Sequence, residues 1–467
     1  MIKSAAKNAA DKVWDIIVIG GGPAGMMAAG RAAEVAREQM KTAANSDNVK
    51  KGDISILLLE KNATLGKKLL ITGGGRCNVT NAEFDNRTLL AKFKDSDKFL
   101  FSAFSQHSVK ESLEFFHTRK MPTKIEAEKR VFPASNTAQS VWDVLVEELK
   151  KSAVTIRSNS TVTGFVQTKP GIINAVRLAD GEIIRGHSFI LATGGTSHPE
   201  TGSTGDGYAW LTKIGHTVTE PHAALVPVKV EDAWVKKLSG FSLPQAKITI
   251  FQTDATGKSV KAPGKLAVKK GKVLFTHFGL SGPAILNMSS EIDELLKYGE
   301  VILSLDLLPA LAYDQLNEAL QKLFKNESNK MIKNALSTMT ISTDRKSTSV
   351  PSLIPTTLVP AVLEKSGIDP DTFCHSVTRE ERLHLVKVLK DMRITPTGLL
   401  GSDKAIITSG GVALNEIDWK TMRSRLVPNL HIIGDILNID RPSGGYSLQL
   451  CWTTGWVAGT AAGNMDQ

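Results

Sequence analysis

Three textures of apolar and polar spacing follow one another along the chain. From residue 13 to about 217, near-continuous apolar runs (16–19, 54–59, 189–192) alternate with stretches whose apolar positions recur every three to four residues. Such runs read as strands buried on both faces, and their alternation with helices predicts a parallel sheet. Helices are expected over 98–120 and 138–151, and strands over 154–156, 161–167 and 173–178, with Asp180-Gly181 as a hairpin turn. From 218 to 308 the pattern becomes short alternating strands, 247–253 and 272–276 among them, between lysine- and glycine-rich turns, which predicts a small β module. From 309 to 392 the period is helical, as in 311–324 and 380–391, interrupted by a Ser/Thr/Pro-rich stretch over 342–360. From 393 to 467 the α/β texture returns, with a strand at 430–433 and a small-residue helix from Gly444 through Gly463. The α/β domain is therefore expected to be discontinuous, formed by 13–217 and 393–467. No internal repeat is present.

The first strand runs into Gly20-Gly-Gly-Pro-Ala-Gly25, so Gly20, Gly22 and Gly25 form the G-x-G-x-x-G of a dinucleotide-binding βαβ unit. Gly20 permits the tight turn, Gly22 lets backbone approach a pyrophosphate, and Gly25 lets the following helix lie close to the sheet. The helix that Pro23 and Ala24 open offers free N–H groups and partial positive charge to phosphates. The second strand ends in Glu60, a carboxylate placed for a ribose hydroxyl. Glu60 lies 35 residues after Gly25, where about 20 is usual. The excess, 36–53, is polar and reads as a longer helix end plus a surface loop.

At 467 residues the chain has room for two or three domains. No run of about 18 apolar residues is present, so no membrane span is expected. Residues 1–12 lack the apolar core of a secretory signal. Cys77, Cys374 and Cys451 are too few and too scattered for a disulfide framework, and no C-x-x-C exists, so neither a redox dithiol nor a metal site is expected. The compartment this implies is a reducing cytoplasm. The net charge of +10 is uneven: between Lys229 and Lys272 there are ten lysines against three acids. A basic patch confined to one module is either a polyanion footprint or a set of solvated strand faces; few aromatics are there for base stacking.

Further motifs follow in order: Glu60-Lys61, Thr72-Gly-Gly-Gly-Arg-Cys-Asn78 with Thr80-Asn81, Ala192-Thr-Gly-Gly195, Gly202-Ser-Thr-Gly-Asp-Gly-Tyr208, Thr276-His-Phe-Gly-Leu-Ser-Gly-Pro-Ala284, Thr408-Ser-Gly-Gly-Val412 and Gly434-Asp435 with Gly444-Gly-Tyr446. On these strings, which span nearly the whole chain, it resembles the BaiN/YhiN/RdsA family of FAD-dependent flavoproteins. The resemblance implies a Rossmann-like FAD domain interrupted by a β-barrel-like insert and a helical insert. It also implies activities of one logic, a steroid enone reductase and a uridine-to-dihydrouridine synthase acting on large-subunit rRNA. Three positions depart from the family pattern: Asp435 stands for a usual Glu, His198 for a common Tyr, and Asp440-Arg441-Pro442 for the usual Asp-Gly.

A FAD site needs the glycine loop for the pyrophosphate, Glu60 with Lys61 at the adenosine end, and an acceptor for the ribityl chain. Asp435 after Gly434 suits that acceptor; its alternative is a turn aspartate. Thr193 and Gly194 end a further strand, and the helix from Gly445 and Tyr446 would aim N–H groups at flavin N1 and O2, where charge accumulates on reduction. Gly74 and Gly75 permit backbone too close to the flavin for side chains. Arg76 would either stabilise flavin or substrate oxygens or form a structural ion pair. Cys77 is a candidate proton donor, with a packed small side chain the favoured alternative. Asn78 is expected to fix the loop. His198 and His277 are candidate acids, or structural hydrogen-bonders. No second G-x-G-x-x-G follows a strand, so NAD(P)H is expected only as a transient donor at an open flavin face.

The reaction read from these features is reduction of an activated C=C bond by hydride from flavin N5. rRNA uridine is slightly favoured as substrate because of the basic insert, ahead of a small steroid-like enone. An amine oxidase, a folate-dependent tRNA-modifying flavoprotein and a non-catalytic ribosome-associated flavin binder are the alternatives.

Overall fold

The computed structural model describes residues 12–44, 54–253, 259–261, 268–339 and 353–464. Much of the 36–53 and 342–360 readings, and the centre of the lysine-rich stretch, lie outside these residues. The chain divides into two compact units, 1–224 with 402–467, and 225–401.

In the first unit, five parallel strands form the centre of a nine-stranded sheet: β1 (Val13–Ile19), β2 (Ile56–Leu59), β3 (Thr155–Arg157), β4 (Ile183–Leu191) and β5 (Leu430–Ile432). Their order is β5-β4-β1-β2-β3, every neighbouring pair parallel. Ile16, Ile17 and Val18 at its centre are fully buried, as continuous apolar runs require. The last parallel strand thus comes from the C-terminal segment. An antiparallel meander of Val162–Lys169 and Ile172–Leu178 joins β4.

Two helices cover this sheet with backbones in close approach. Along α1 (Pro23–Ala44) lie Ala24, Ala28 and Ala32; along α2 (Tyr446–Gly463) lie Gly455, Gly459 and Gly463. A Cβ added at those glycines would stand 2.6, 2.5 and 2.7 Å from the carbonyl oxygens of Ala24, Ala28 and Ala32. Small residues one turn apart on both helices therefore let the two backbones run in contact.

The second unit holds an antiparallel sheet in the order Met392–Ile394, Val301–Asp306, Ser242–Thr253, Val268–Thr276, Gly279–Ser281, Val228–Val230 and Pro396–Leu399. The strands at the two ends of that order are separated in sequence by Thr395 alone. Helices Tyr313–Asn326, Val359–Ser366 and Arg379–Lys390 bury Leu316, Leu320, Val362 and Leu385 in the same apolar cluster as Ile248, Phe275 and Leu303 of the strands. The segments read in sequence as two modules, 218–308 and 309–392, thus share one core. Their outer bounds shift too. Val218–Ala224 pairs with Ile407–Val412 in the first unit, while Met392–Ile394 and Pro396–Leu399 belong to the second unit's sheet. Alternation alone cannot reveal such pairing, because partner choice is made across long sequence separations.

Candidate functional site

The carboxyl ends of β1, β2, β4 and β5 open on a cleft of about 1200 Å³, solvent at its mouth included, lined among others by Gly22, Glu60, Lys68, Thr193, Asp435 and Ser447. All lie in the first unit. A crevice at strand carboxyl ends is where open α/β sheets take ligands.

The glycine turn is fixed by contacts that leave no room for side chains. Gly20 has φ +106°, and a Cβ there would lie 2.5 Å from Ala192 O. At Gly25 a Cβ would lie 1.9 Å from Gly20 O. Gly22 differs: a Cβ there would meet nothing within 4 Å, because it faces the open cleft. Glu60 braces the turn, one oxygen accepting from Gly21 N at 2.9 Å and the other from Asn62 N and Nδ2, both at 2.7 Å. A carboxylate retains further lone pairs for a ribose. Lys61 donates to Thr204 Oγ1 at 2.6 Å and pairs with Asp206 at 2.9 Å. Pro23, Ala24, Thr193 and Gly194 line the cleft, and Thr193 Oγ1 is buried without a hydrogen-bond partner.

The opposite wall comes from the C-terminal segment. Gly434 (φ +76°) turns the chain so that Asp435 reaches the cleft. Burial alone would push the Asp435 carboxyl up, but the Arg441 guanidinium and the Lys68 ammonium together hold it below the usual range. Lys68 lines the cleft, 2.6 Å from Ser197 Oγ and 3.4 Å from Asp435 Oδ2. Sequence reasoning missed Lys68 and the role of Arg441; the only signal was a lysine inside the string that precedes Thr72.

The structure places other expected residues outside the lining of this cleft. Gly25 is behind the turn. Gly445 packs on Thr80 backbone and Tyr446 edge-on to Phe93 (5.9 Å), while Ser447, Leu448 and Cys451 of the same helix line the cleft. Of the triple-glycine loop only Thr72 does; Gly74 (φ +67°) and Gly75 (φ +84°) have open space where a Cβ would project. Arg76 forms an ion pair with Glu126 (2.5 Å), donates to Asn136 Oδ1 and lies over Phe132, so the ion-pair alternative describes its position. Cys77 is fully buried, and burial pushes its thiol up to about 12 against a hydrogen bond with Thr72. Asn78 Oδ1 is buried and unpartnered. His198, in a left-handed turn (φ 56°), bonds Glu200 at 2.8 Å. His277 belongs to the other unit.

Residues 14–461 match the HI0933-like protein Rossmann domain. The chain belongs to that family. It is 30% identical over 446 residues to a 3-dehydro-bile acid Δ4,6-reductase of Clostridium scindens, covering 95% of this chain and 98% of the relative. It is 28% identical over 447 residues to a ribosomal RNA dihydrouridine synthase of Escherichia coli, covering 95% and 96%. Its fold is similar to that of 3-ketosteroid Δ1-dehydrogenase from Sterolibacterium denitrificans (TM-score 0.50, 11% identity, 97% and 100% covered). As a member of this family it is a FAD-dependent oxidoreductase with a Rossmann-type domain. The cleft fits the cofactor: Gly22 leaves a cradle that a side chain would fill. Among the described residues no helix is long and apolar enough to cross a membrane.

Proposed function

We propose that this oxidoreductase reduces a C=C bond conjugated to a carbonyl, with uridine of large-subunit rRNA as the favoured substrate. FAD, when bound, supplies the hydride to the β-carbon of the acceptor. Gly22 and the N-terminus of α1 would hold the pyrophosphate, Glu60 the adenosine ribose, and Asp435 the ribityl hydroxyls. Arg76, exposed in part beside the open glycine loop, would meet substrate oxygens after releasing Glu126. Cys77, neutral and walled in, serves packing. NAD(P)H would be the transient reductant.

Both curated relatives carry names of proteins acting on this bond class, one a steroid-like acid and the other a base in RNA. The observation that favours RNA is on the second unit's sheet. Lys247 stands in register opposite Lys270 on one side and Asp306 on the other, and Asp306 is itself paired with Lys390 at 2.7 Å. With Lys269 and Lys272 close by, lysines outnumber acids on these strands, an excess that a phosphate backbone would offset. Residues 225–401 would then be the RNA-docking module of the FAD domain. Three buried, unpaired cysteines suit a reducing cytoplasm.

The deciding experiment is mass spectrometry of large-subunit rRNA from cells with and without the gene. Loss of one dihydrouridine on deletion, restored by the gene, is expected. An unchanged level sinks the RNA reading and leaves a small enone, which the bile-acid relative favours, to be sought by oxidation of the reduced enzyme.

A further inference from the structure

The C-terminal wall of the cleft carries more charge than a ribityl acceptor requires. The side chain of Arg441 is completely buried. Its guanidinium donates to Ile439 O at 2.7 Å, to Ser447 Oγ at 3.0 Å, and to a carboxylate oxygen of Asp435. The other Asp435 oxygen faces Lys68. Asp435 and Ser447 line the cleft and Arg441 stands directly behind both. Two cations therefore surround one carboxylate, leaving a net positive charge of which the arginine's share is fully buried and only weakly screened by water. Arginine cannot shed its proton there. The N-terminus of α2, at Tyr446, adds partial positive charge on the same side.

We propose that Arg441 is a potential-setting residue: its fixed charge, transmitted through Asp435 and Ser447, favours reduced over oxidised flavin. The proposal rests on the FAD reading of this cleft. Reduction by two electrons with uptake of one proton adds one negative charge to the ring system, so a nearby fixed cation binds the reduced form more tightly than the neutral oxidised form. By linkage, that difference in affinity raises the midpoint potential. Without the arginine, Asp435 would be left facing Lys68 alone, and the wall would lose its net positive charge. Asp435 would thus serve as ribityl acceptor in a wall whose net charge stays positive because Arg441 lies behind it.

The test uses the full-length holoprotein and measures the ratio of affinities for reduced and oxidised FAD, by spectroelectrochemical titration with dithionite as reductant. Arg441→Gln is expected to lower that ratio at least tenfold, equal to a fall of about 30 mV for a two-electron couple. Arg441→Lys should stay within threefold of the parent, and Asp435→Asn should raise the ratio. Should Arg441→Gln fail to fold, Asp435→Asn against Asp435→Asn/Arg441→Gln gives the same comparison without a buried unpaired carboxylate. A purely structural Arg441 would weaken both redox forms alike; an unchanged ratio in either comparison overturns the proposal. Parent protein that takes up no FAD would overturn the cofactor reading itself, an outcome distinct from bound flavin with an unmoved potential.

Discussion

The cleft has two walls, one a strand turning through glycines straight into a helix and the other a strand joined to its helix by a longer loop, and they differ in what they offer a ligand. The wall of β1 and α1 is made of backbone: its specificity lies in what is missing, the side chains at Gly20, Gly22 and Gly25. The wall of β5 and α2 is made of charge: Asp435, Arg441 and Lys68 meet there in a buried cluster. The first wall is suited to a phosphate, which needs N–H groups and close approach. The second is suited to hydroxyls and to a ring whose charge changes, which need acceptors and a field. Small residues of α1 and α2 in mutual contact couple the two, so neither helix end can shift without the other.

The sharpest way to break this contrast is in the first wall. Gly25→Val drives a side chain into Gly20 O and is expected to abolish the folded, flavin-bearing protein, read as insoluble or flavin-free material. Gly22→Val adds its side chain to open cleft. It should leave the apoprotein's urea midpoint nearly unchanged while removing bound FAD from the absorbance spectrum. If Gly22→Val retains flavin, the cradle is not where the pyrophosphate sits. In the second wall, Asp435→Ala leaves the Arg441 charge buried without its carboxylate and should cost about 3–5 kcal/mol in urea unfolding. Asp435→Asn, which retains an acceptor for Arg441, should cost clearly less.

A third effect comes from behind α2. Burial pushes His107, stacked on Trp456 at 4.6 Å, down to about 3 and His431 down to about 4, from an ordinary 6.5. Both are neutral in the folded protein at pH 7, whereas the unfolded chain binds protons near pH 6.5. Stability is therefore full above pH 6.5 and falls as pH drops toward 4, by about 1.4 kcal/mol per pH unit for each histidine. His107 has neither ring nitrogen hydrogen-bonded. His107→Phe should flatten its share of that slope in urea titrations at pH 7, 6 and 5; an unchanged slope would mean His107 is already charged. The smallest effect is expected at Lys61→Ala. Its pair with Asp206 is largely exposed, and such pairs contribute about 0–1 kcal/mol, so FAD affinity measured by fluorescence should fall by less than about fivefold.

Legibility differed between the walls for the same reason. Gly20, Gly22, Gly25 and Glu60 could be read because the glycine spacing follows directly on a buried strand, with tight backbone contacts at Gly20 and Gly25, and strand periodicity places the acid. Asp435 was legible as a carboxylate after a glycine at a strand end. Arg441 was visible only as a departure from a family pattern, since nothing local says that its guanidinium turns inward. Gly74 and Gly75 were expected at the flavin because glycine permits close backbone approach, and Tyr446 because a helix N-terminus offers N–H groups. The structure instead gives the lining to Thr72 and to Ser447, because helix and loop register decide which neighbour faces inward.

Along the chain itself, the sequence determined the parallel-sheet texture, the glycine turn after the first strand and a C-terminal strand and helix returning to the first domain, all consequences of periodicity and backbone sterics acting over a few residues. Tertiary structure alone decided that strands and helices of 225–401 share one core, that Val218–Ala224 pairs with Ile407–Val412, and that Lys68 meets Asp435 across 367 positions of chain. Those choices depend on which surfaces bury one another and which charges neutralise one another in a low-dielectric wall, and such through-space energies leave no periodic trace in the residues that carry them.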